Sequence, residues 1–271
     1  MKALLSRTAL CVFAAALLPL PAIAWGNVGH ELVAEIAARH LEAGARREVR
    51  ALLGESMAAA ATWADAVRNQ RPDTRPWHYV NIPLDAATYD AARDCPEGAC
   101  AIAAIERELA ILRDRRRAKA ARAEALRFVI HLVGDLHQPL HCAERNHDGG
   151  GNGVTVRWFG SDATLHHVWD ADIIDQPRLS RAQIAARLSR EIRAGGSALA
   201  ADAGEGGLAA WAEQAHALAA SNAYRIPASR RLAKAYFERN APVVDRQLIR
   251  AGLRLANVLN AALTHSPERD G

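Results

Sequence analysis

The stretch His131-Leu-Val-Gly-Asp135-Leu-His137-Gln-Pro139-Leu-His141 carries the densest concentration of reactive side chains in the chain. His131 and Asp135 are four residues apart within the apolar run Phe128-Val-Ile130 to Leu132-Val133, so on a helix both point from one face. Pro139 cannot continue that helix without losing a hydrogen bond, so the chain should kink or stop and swing His141 toward the same point. A second pair of the same spacing, His166 and Asp170, follows inside Leu165-His-His-Val-Trp-Asp170. Imidazole nitrogen with carboxylate oxygen is a ligand set that suits zinc, and cysteine is too sparse here for a thiolate site. Helix-stabilising pairs or buried hydrogen-bonded histidines are the plainer reading of any one of them.

The N-terminus bears on the same chemistry. Lys2 and Arg7 form a positive n-region, Ala9 to Leu20 an apolar h-region, and Ala22-Ile-Ala24 a small-x-small cleavage site, which together read as a secretory signal peptide over residues 1–24. The h-region is short for a membrane span, so no integral membrane segment is expected after cleavage and the mature chain is expected in the periplasm or secreted. Cleavage between Ala24 and Trp25 would free an α-amine five residues before His30. An α-amine with a pKa near 8 gives up its proton readily to a metal, and with its own carbonyl it can close a five-membered chelate. In the precursor that nitrogen is an amide and cannot bind, so signal removal is expected to complete one metal site.

The elements that must position these groups are helical. At 271 residues and 50% hydrophobic the chain can bury a full core, and residues 25–271 are expected to form one domain. His30 opens an amphipathic helix with Leu32, Val33, Ile36 and Ala37 on one side. A second helix covers Ala45 to Leu53, and a third, Met57 to Arg68, carries Asp65. Pro76-Trp77-His78-Tyr79-Val80-Asn81-Ile82-Pro83 suggests an extended segment presenting His78 and Asn81. Ala101 to about Gly134 reads as two long helices, and Asp148-Gly-Gly-Gly-Asn152-Gly as a loop leading into a short strand over Val154 to Phe159. From Ser180 onward the pattern is helical, with breaks near Gly195-Gly196, Gly204 to Gly207 and Pro227, ending on Val243 to Leu263. The class is mainly α.

Charge excludes a strongly basic nucleic-acid binder, since loss of the signal lowers the formal balance from +4 to +2. The run Arg113, Arg115, Arg116, Arg117, Lys119, Arg122 is expected to be a solvated helix face. Cys95 and Cys100 flank a Pro/Gly spacer and, in an exported protein, should close a disulfide loop. Cys142 is left as a buried free thiol.

Taken together, mature Trp25-Gly-x-x-Gly-His30, Trp63-Ala-Asp65-x-x-Arg68, Trp77-His78-Tyr-Val-Asn81, His131-x-x-Gly-Asp135-x-His-Gln-Pro-Leu-His141, Asp148-x-Gly-Gly-Asn152 and Leu165-His166-x-x-Trp-Asp170 resemble the S1/P1 family of trinuclear-zinc, single-strand-specific nucleases, of the mung bean nuclease type. The resemblance implies a mostly helical fold shared with bacterial zinc phospholipase C and three zinc ions. By position, Asp65, His78, His131 and Asp135 would hold one ion. Trp25, His30 and the bridging Asp135 would hold a second, and His141, His166 and Asp170 a third. Metal-activated water would attack phosphorus in line, cleaving the P–O3′ bond of single-stranded RNA or DNA to leave 5′-phosphates, often with removal of a 3′-phosphate from nucleotides. Arg68 would neutralise charge on the phosphate, Tyr79 would stack a base, and Asn81 and Asn152 would contact substrate. Asn81 stands where many members carry aspartate, and Thr164 where asparagine is usual. His40, His137, His147 and His167 match no ligand position, and no stable protein partner is implied. A zinc phospholipase C on the same fold, or a zinc-binding protein without catalysis, are the competing readings.

Overall fold

The structure, a computed structural model, describes residues 25–264; the expected signal peptide and its junction lie outside the described residues. In chain order the α-helices are α1 (Asn27–His40), α2 (Ala43–Leu53), α3 (Met57–Ala60), α4 (Trp63–Val67), α5 (Ala91–Asp94), α6 (Ala101–Arg113), α7 (Lys119–Asp135), α8 (Leu165–His167), α9 (Ile173–Asp175), α10 (Arg181–Gly204), α11 (Leu208–Leu218) and α12 (Lys234–Leu263). A small sheet holds β1 (Thr155–Trp158), β2 (Ser161–Thr164) and β3 (Arg231–Leu232) in the order β2-β1-β3. The mainly α class expected from the apolar periodicity is the class observed. No helix among the described residues is long and apolar enough to cross a membrane.

The core lies where α1 packs along α12 and α6 along α7. Leu32, Val33, Ile36 and Ala37 fill the inner face of α1, as their spacing requires. From Phe128 to Asp135 every residue of α7 is buried, so this helix runs through the interior and carries its ligands with it. It ends at Asp135, and a short 3-10 turn, Pro139–His141, turns the chain back as the proline predicts.

Several local expectations are corrected. The helix expected over Met57 to Arg68 is two: it breaks at Ala61 and Thr62, and the break directs the Ala61 carbonyl to His131 Nδ1 at 2.7 Å. His78 ends a 3-10 segment, Pro72–His78, and extended chain begins only at Tyr79. After His166 the helix widens into a π turn, Val168–Asp172, which keeps Asp170 beside His166. The break expected near Gly195-Gly196 is present, since Gly196 leaves the helical region within α10 at φ 47° and ψ -129°. Arg113, Arg115 to Arg117 and Lys119 are solvated as expected, but Arg115 to Arg117 lie in the connection between α6 and α7 and not on a helix, and Arg122 is buried, bonded to the Leu112 carbonyl and to Glu48. Cys95 and Cys100 do form a disulfide. Cys142 is free and buried, and burial pushes its thiol up.

A buried polar network ties α12 to the end of α7. Arg254, fully buried, donates to His137 Nε2 at 3.0 Å, to Gln214 Oε1 at 2.7 Å and to the Asp202 carbonyl, with its guanidinium over the Trp211 ring. His137 in turn donates from Nδ1 to the Val133 carbonyl at 2.8 Å, and burial together with the Arg254 charge pushes it down to about 3. Arg254→Met takes the donor from three acceptors, one buried and two partly buried, so it is expected to cost about 3 kcal/mol of unfolding free energy. Urea denaturation checks this, and a midpoint equal to wild type would show the network to be dispensable.

Candidate metal centre

Three groups of side chains converge where α1, α4, α7 and the α8–π-turn segment meet: His30, His131 and Asp135; Asp65, His78 and His131; His141, His166 and Asp170. In each group the potential ligand atoms lie within 4.8 Å of one another. Asp135 is the hub. Its Oδ1 is 3.3 Å from His30 Nε2, while its Oδ2 is 3.0 Å from His78 Nδ1 and 3.3 Å from His131 Nε2. Asp65 Oδ1 stands 3.7 Å from both His78 Nδ1 and His131 Nε2. In the third group Asp170 Oδ2 is 3.2 Å from His166 Nε2, and Asp170 Oδ1 is 3.7 Å from His141 Nε2.

Backbone carbonyls aim the imidazoles. His131, His141 and His166 each use Nδ1 on a carbonyl, of Ala61, His78 and Gly150 respectively, which fixes Nδ1–H and leaves the Nε2 lone pair facing inward. Gly150 reaches His166 because its φ of 63° suits glycine and because a Cβ there would lie 2.3 Å from the Leu140 carbonyl. Gly134 performs a related service: its lack of a side chain admits the His30 ring against α7, and its carbonyl accepts from Trp25 Nε1 at 2.8 Å. Trp25 is itself fully buried.

Both His30 nitrogens, both Asp65 carboxylate oxygens, His78 Nε2, Asp135 Oδ1 and His141 Nε2 are buried without a hydrogen-bond partner among the described residues. Buried polar groups are seldom left so, and a cluster of them aimed at common points is the arrangement a cation satisfies. Electrostatics agree. Burial holds His30 below its usual value, His141 at about 3 and His166 at about 4, so these imidazoles are neutral donors at neutral pH. Burial opposes charge on His131, but Asp135 and then Asp65 outweigh it and raise it to about 9. Burial works against the Asp135 carboxylate too, yet the histidines around it hold it well below the usual range. Asp170 is pushed up by burial against the pull of a Gln138 hydrogen bond. Without a cation, then, protons take the positive places in the cluster.

Gln138 is a residue the sequence reading missed. It is fully buried, donates from Nε2 to Asp170 Oδ1 at 2.6 Å and accepts from the Leu140 amide at 2.5 Å, bracing one candidate ligand against the turn that carries another. Its place between Asp135 and Pro139 was the only available signal.

A cleft of about 220 Å³ opens onto the cluster, lined among others by Arg68, Tyr79, Asn81 and Asn152 together with His78, His141 and His166. Arg68 is close enough for its charge to lower both His166 and Asp170. Asn152 sits at the exposed rim with its amide on the Gly149 carbonyl. The histidines and aspartates named from the sequence as candidate ligands are thus gathered beside the candidate substrate contacts, and Trp25 meets them through its indole on Gly134. His147 and His167 are exposed, His40 lies at the exposed end of α1, and His137 belongs to the Arg254 network.

The family model for S1/P1 nuclease matches residues 25–264. The chain belongs to the S1/P1 nuclease family. Its enzyme class follows, a hydrolase of phosphodiester bonds. Among curated relatives, Nuclease S1 of Aspergillus oryzae is 31% identical over 86% of this chain and 89% of its own length. Endonuclease 4 of Arabidopsis thaliana is 30% identical over 92% of this chain and 93% of its own. Endonuclease 2 of the same plant is 38% identical, with the match spanning 56% of each chain.

Proposed function

We propose that this member is an exported zinc enzyme that hydrolyses single-stranded RNA and DNA at the P–O3′ bond, leaving 5′-phosphates, and also removes the 3′-phosphate of nucleotides. The observation that carries the reading is the set of buried, unpartnered nitrogen and carboxylate donors gathered beneath a cleft with a cationic and an aromatic wall. A neutral-imidazole and carboxylate donor set fits zinc. Asp65, His78, His131 and Asp135 would hold one ion; Trp25, through its amine and carbonyl, with His30 and Asp135 a second; His141, His166 and Asp170 the third. Bound zinc supplies Lewis-acid polarisation and brings water toward ionisation near neutral pH. Around it, Arg68 offsets charge that builds on the phosphate oxygens, Tyr79 gives an exposed base a face to stack on, and Asn81 and Asn152 orient the nucleotide by hydrogen bonds. The Cys95–Cys100 disulfide suits an oxidising, extracytoplasmic setting, which supports secretion or a periplasmic location.

The test is one preparation of mature protein assayed for zinc content and for hydrolysis of single-stranded RNA, single-stranded DNA, a 3′-nucleotide and phosphatidylcholine. About three zinc ions with 5′-phosphate products is the expected result. Cleavage of lipid alone would transfer the site to a phospholipase, and zinc without turnover would make it a binding protein. The role given to Trp25 has its own check. A single alanine retained ahead of Trp25 converts the amine to an amide, so about one zinc per chain should be lost and turnover should fall at least about a hundredfold. Unchanged metal content in that variant would remove Trp25 from the ligand set.

A further inference from the structure

The small sheet carries an arrangement that folding alone does not favour. In the parallel pairing of β1 with β3, Arg157 stands directly opposite Arg231. Like charges placed opposite one another on a sheet oppose its formation. Val156 and Trp158 are buried while Thr155 and Arg157 are exposed, and on β3 Leu232 is buried while Arg231 is exposed, so both arginines project from the solvent face. Arg230 adds a third exposed guanidinium, and its carbonyl accepts from the Arg157 amide at 2.9 Å. Arg157 itself is drawn toward the β2 side: its Nη2 donates to the Gly160 carbonyl at 2.6 Å and its Nε stands 3.6 Å from Asp162, its partner across the antiparallel pairing. Among the described residues no carboxylate lies within ion-pair distance of Arg230 or Arg231.

The location matters as much as the charge. Thr155, where β1 begins, is three residues from Asn152 at the rim of the cleft, and β2 ends at Thr164, two residues before His166. At about 3.3 Å per residue, Arg157 lies within about 17 Å of that rim along the chain, a span that an extended single strand covers easily. At the far end of the hairpin Phe159 is 46% exposed, an aromatic face beside the arginines.

We propose that Arg157 and Arg231, with Arg230 beside them, form a second phosphate-binding subsite that holds a single-stranded polynucleotide where it runs beyond the cleft. The guanidiniums of Arg230 and Arg231 bind the phosphate, and Arg157, across the strand pairing and held toward β2, adds its charge beside them. Bases left unstacked there meet Phe159. A lipid headgroup offers the same phosphodiester anion, but the continuity with the cleft and a lone aromatic at the tip favour a strand. The inference deepens the nuclease reading and rests on it for the nature of the ligand.

The test measures binding, so that it stands apart from turnover. A fluorescently labelled phosphorothioate single strand, which keeps its charge and resists hydrolysis, is titrated against the zinc-loaded mature protein at several salt concentrations. Compared are wild type, Arg231→Glu, Arg231→Gln and, as a control of equal charge change, Arg116→Glu in the α6–α7 connection. Arg231→Glu is expected to weaken binding about tenfold at low salt, Arg231→Gln less, and each should flatten the slope of log affinity against log salt by about one or more. Arg116→Glu should match wild type. Thermal melts equal to wild type show that the variants are folded. Equal affinities and slopes for Arg231→Glu and Arg116→Glu would overturn the proposal, as would retention on vesicles of anionic phospholipid that depends on Arg231 while strand binding does not. If the strand binds in the expected way but wild type cleaves no nucleic acid, the subsite stands and the nuclease reading fails.

Discussion

Asp135→Ala is expected to abolish phosphodiester hydrolysis, by at least on the order of a thousandfold, and to strip the protein of about two of its proposed three zinc ions. The size of the effect follows from geometry. One carboxylate faces His30 through Oδ1 and both His78 and His131 through Oδ2, so it serves two groups of donors at once. It is fully buried, and its charge holds the surrounding imidazoles in place and keeps the proton on His131 up to about pH 9. Remove it and the attraction that gathers the histidines is gone along with the shared ligand. Asp135→Asn separates the two losses, because the amide keeps the shape while surrendering the charge; it should stay folded and still lose zinc and activity. Retention of full zinc and turnover by either variant would mean that the cluster is not the reaction centre.

How far the sequence anticipated this centre can be told from particular residues. The paired His131/Asp135 and His166/Asp170 were legible because a helix places positions four apart on one face, and that rule holds even where the second helix widens into a π turn. Pro139 announced the turn that brings His141 back. Asp65 carried no such local signal and only the family resemblance marked it, while the segment from Pro76 to Pro83 offered His78 without showing its partners. Asp65 and His78 meet His131 through the break at Ala61 and the 3-10 turn ahead of His78, features set by tertiary contacts rather than by local preference. Gln138 was invisible for the same reason, since its partner Asp170 is 32 residues away. So was the link from Arg254 to His137, which spans 117 residues. The opposed arginines of the sheet appear only once the parallel pairing of β1 and β3 is known, because nothing near Arg157 in sequence points to Arg231. Periodicity thus reports the faces of single elements, while the contacts that aim the ligands are made between elements.

Gly134→Ala tests that distinction, because local and tertiary reasoning predict opposite outcomes. Within a helix, alanine is favoured over glycine by about 1 kcal/mol, so propensity alone makes the substitution stabilising. The surroundings forbid it. A Cβ at position 134 would lie 2.9 Å from His30 Nδ1 and 3.3 Å from its Cε1, closer than such contacts allow. The ring has little room to yield, for it is buried and stacked on His131 with centroids 3.9 Å apart. Trp25, whose indole is bonded to the Gly134 carbonyl, closes another side. What can move is His30 Nε2, away from Asp135, and that displacement falls on the site proposed to include Trp25. The variant should therefore keep its helical content and lose about one zinc, with turnover down about 10- to 100-fold, the range seen when a ligand's support is disturbed. Overpacking of 1–3 kcal/mol set against the helical gain leaves a small net loss of stability, about 1 kcal/mol. A thermal melt and a zinc determination on one sample decide the matter. A Gly134→Ala protein more stable than wild type, with its zinc complete, would show that the His30 ring has more freedom than its packing implies and would detach Gly134 from the metal centre.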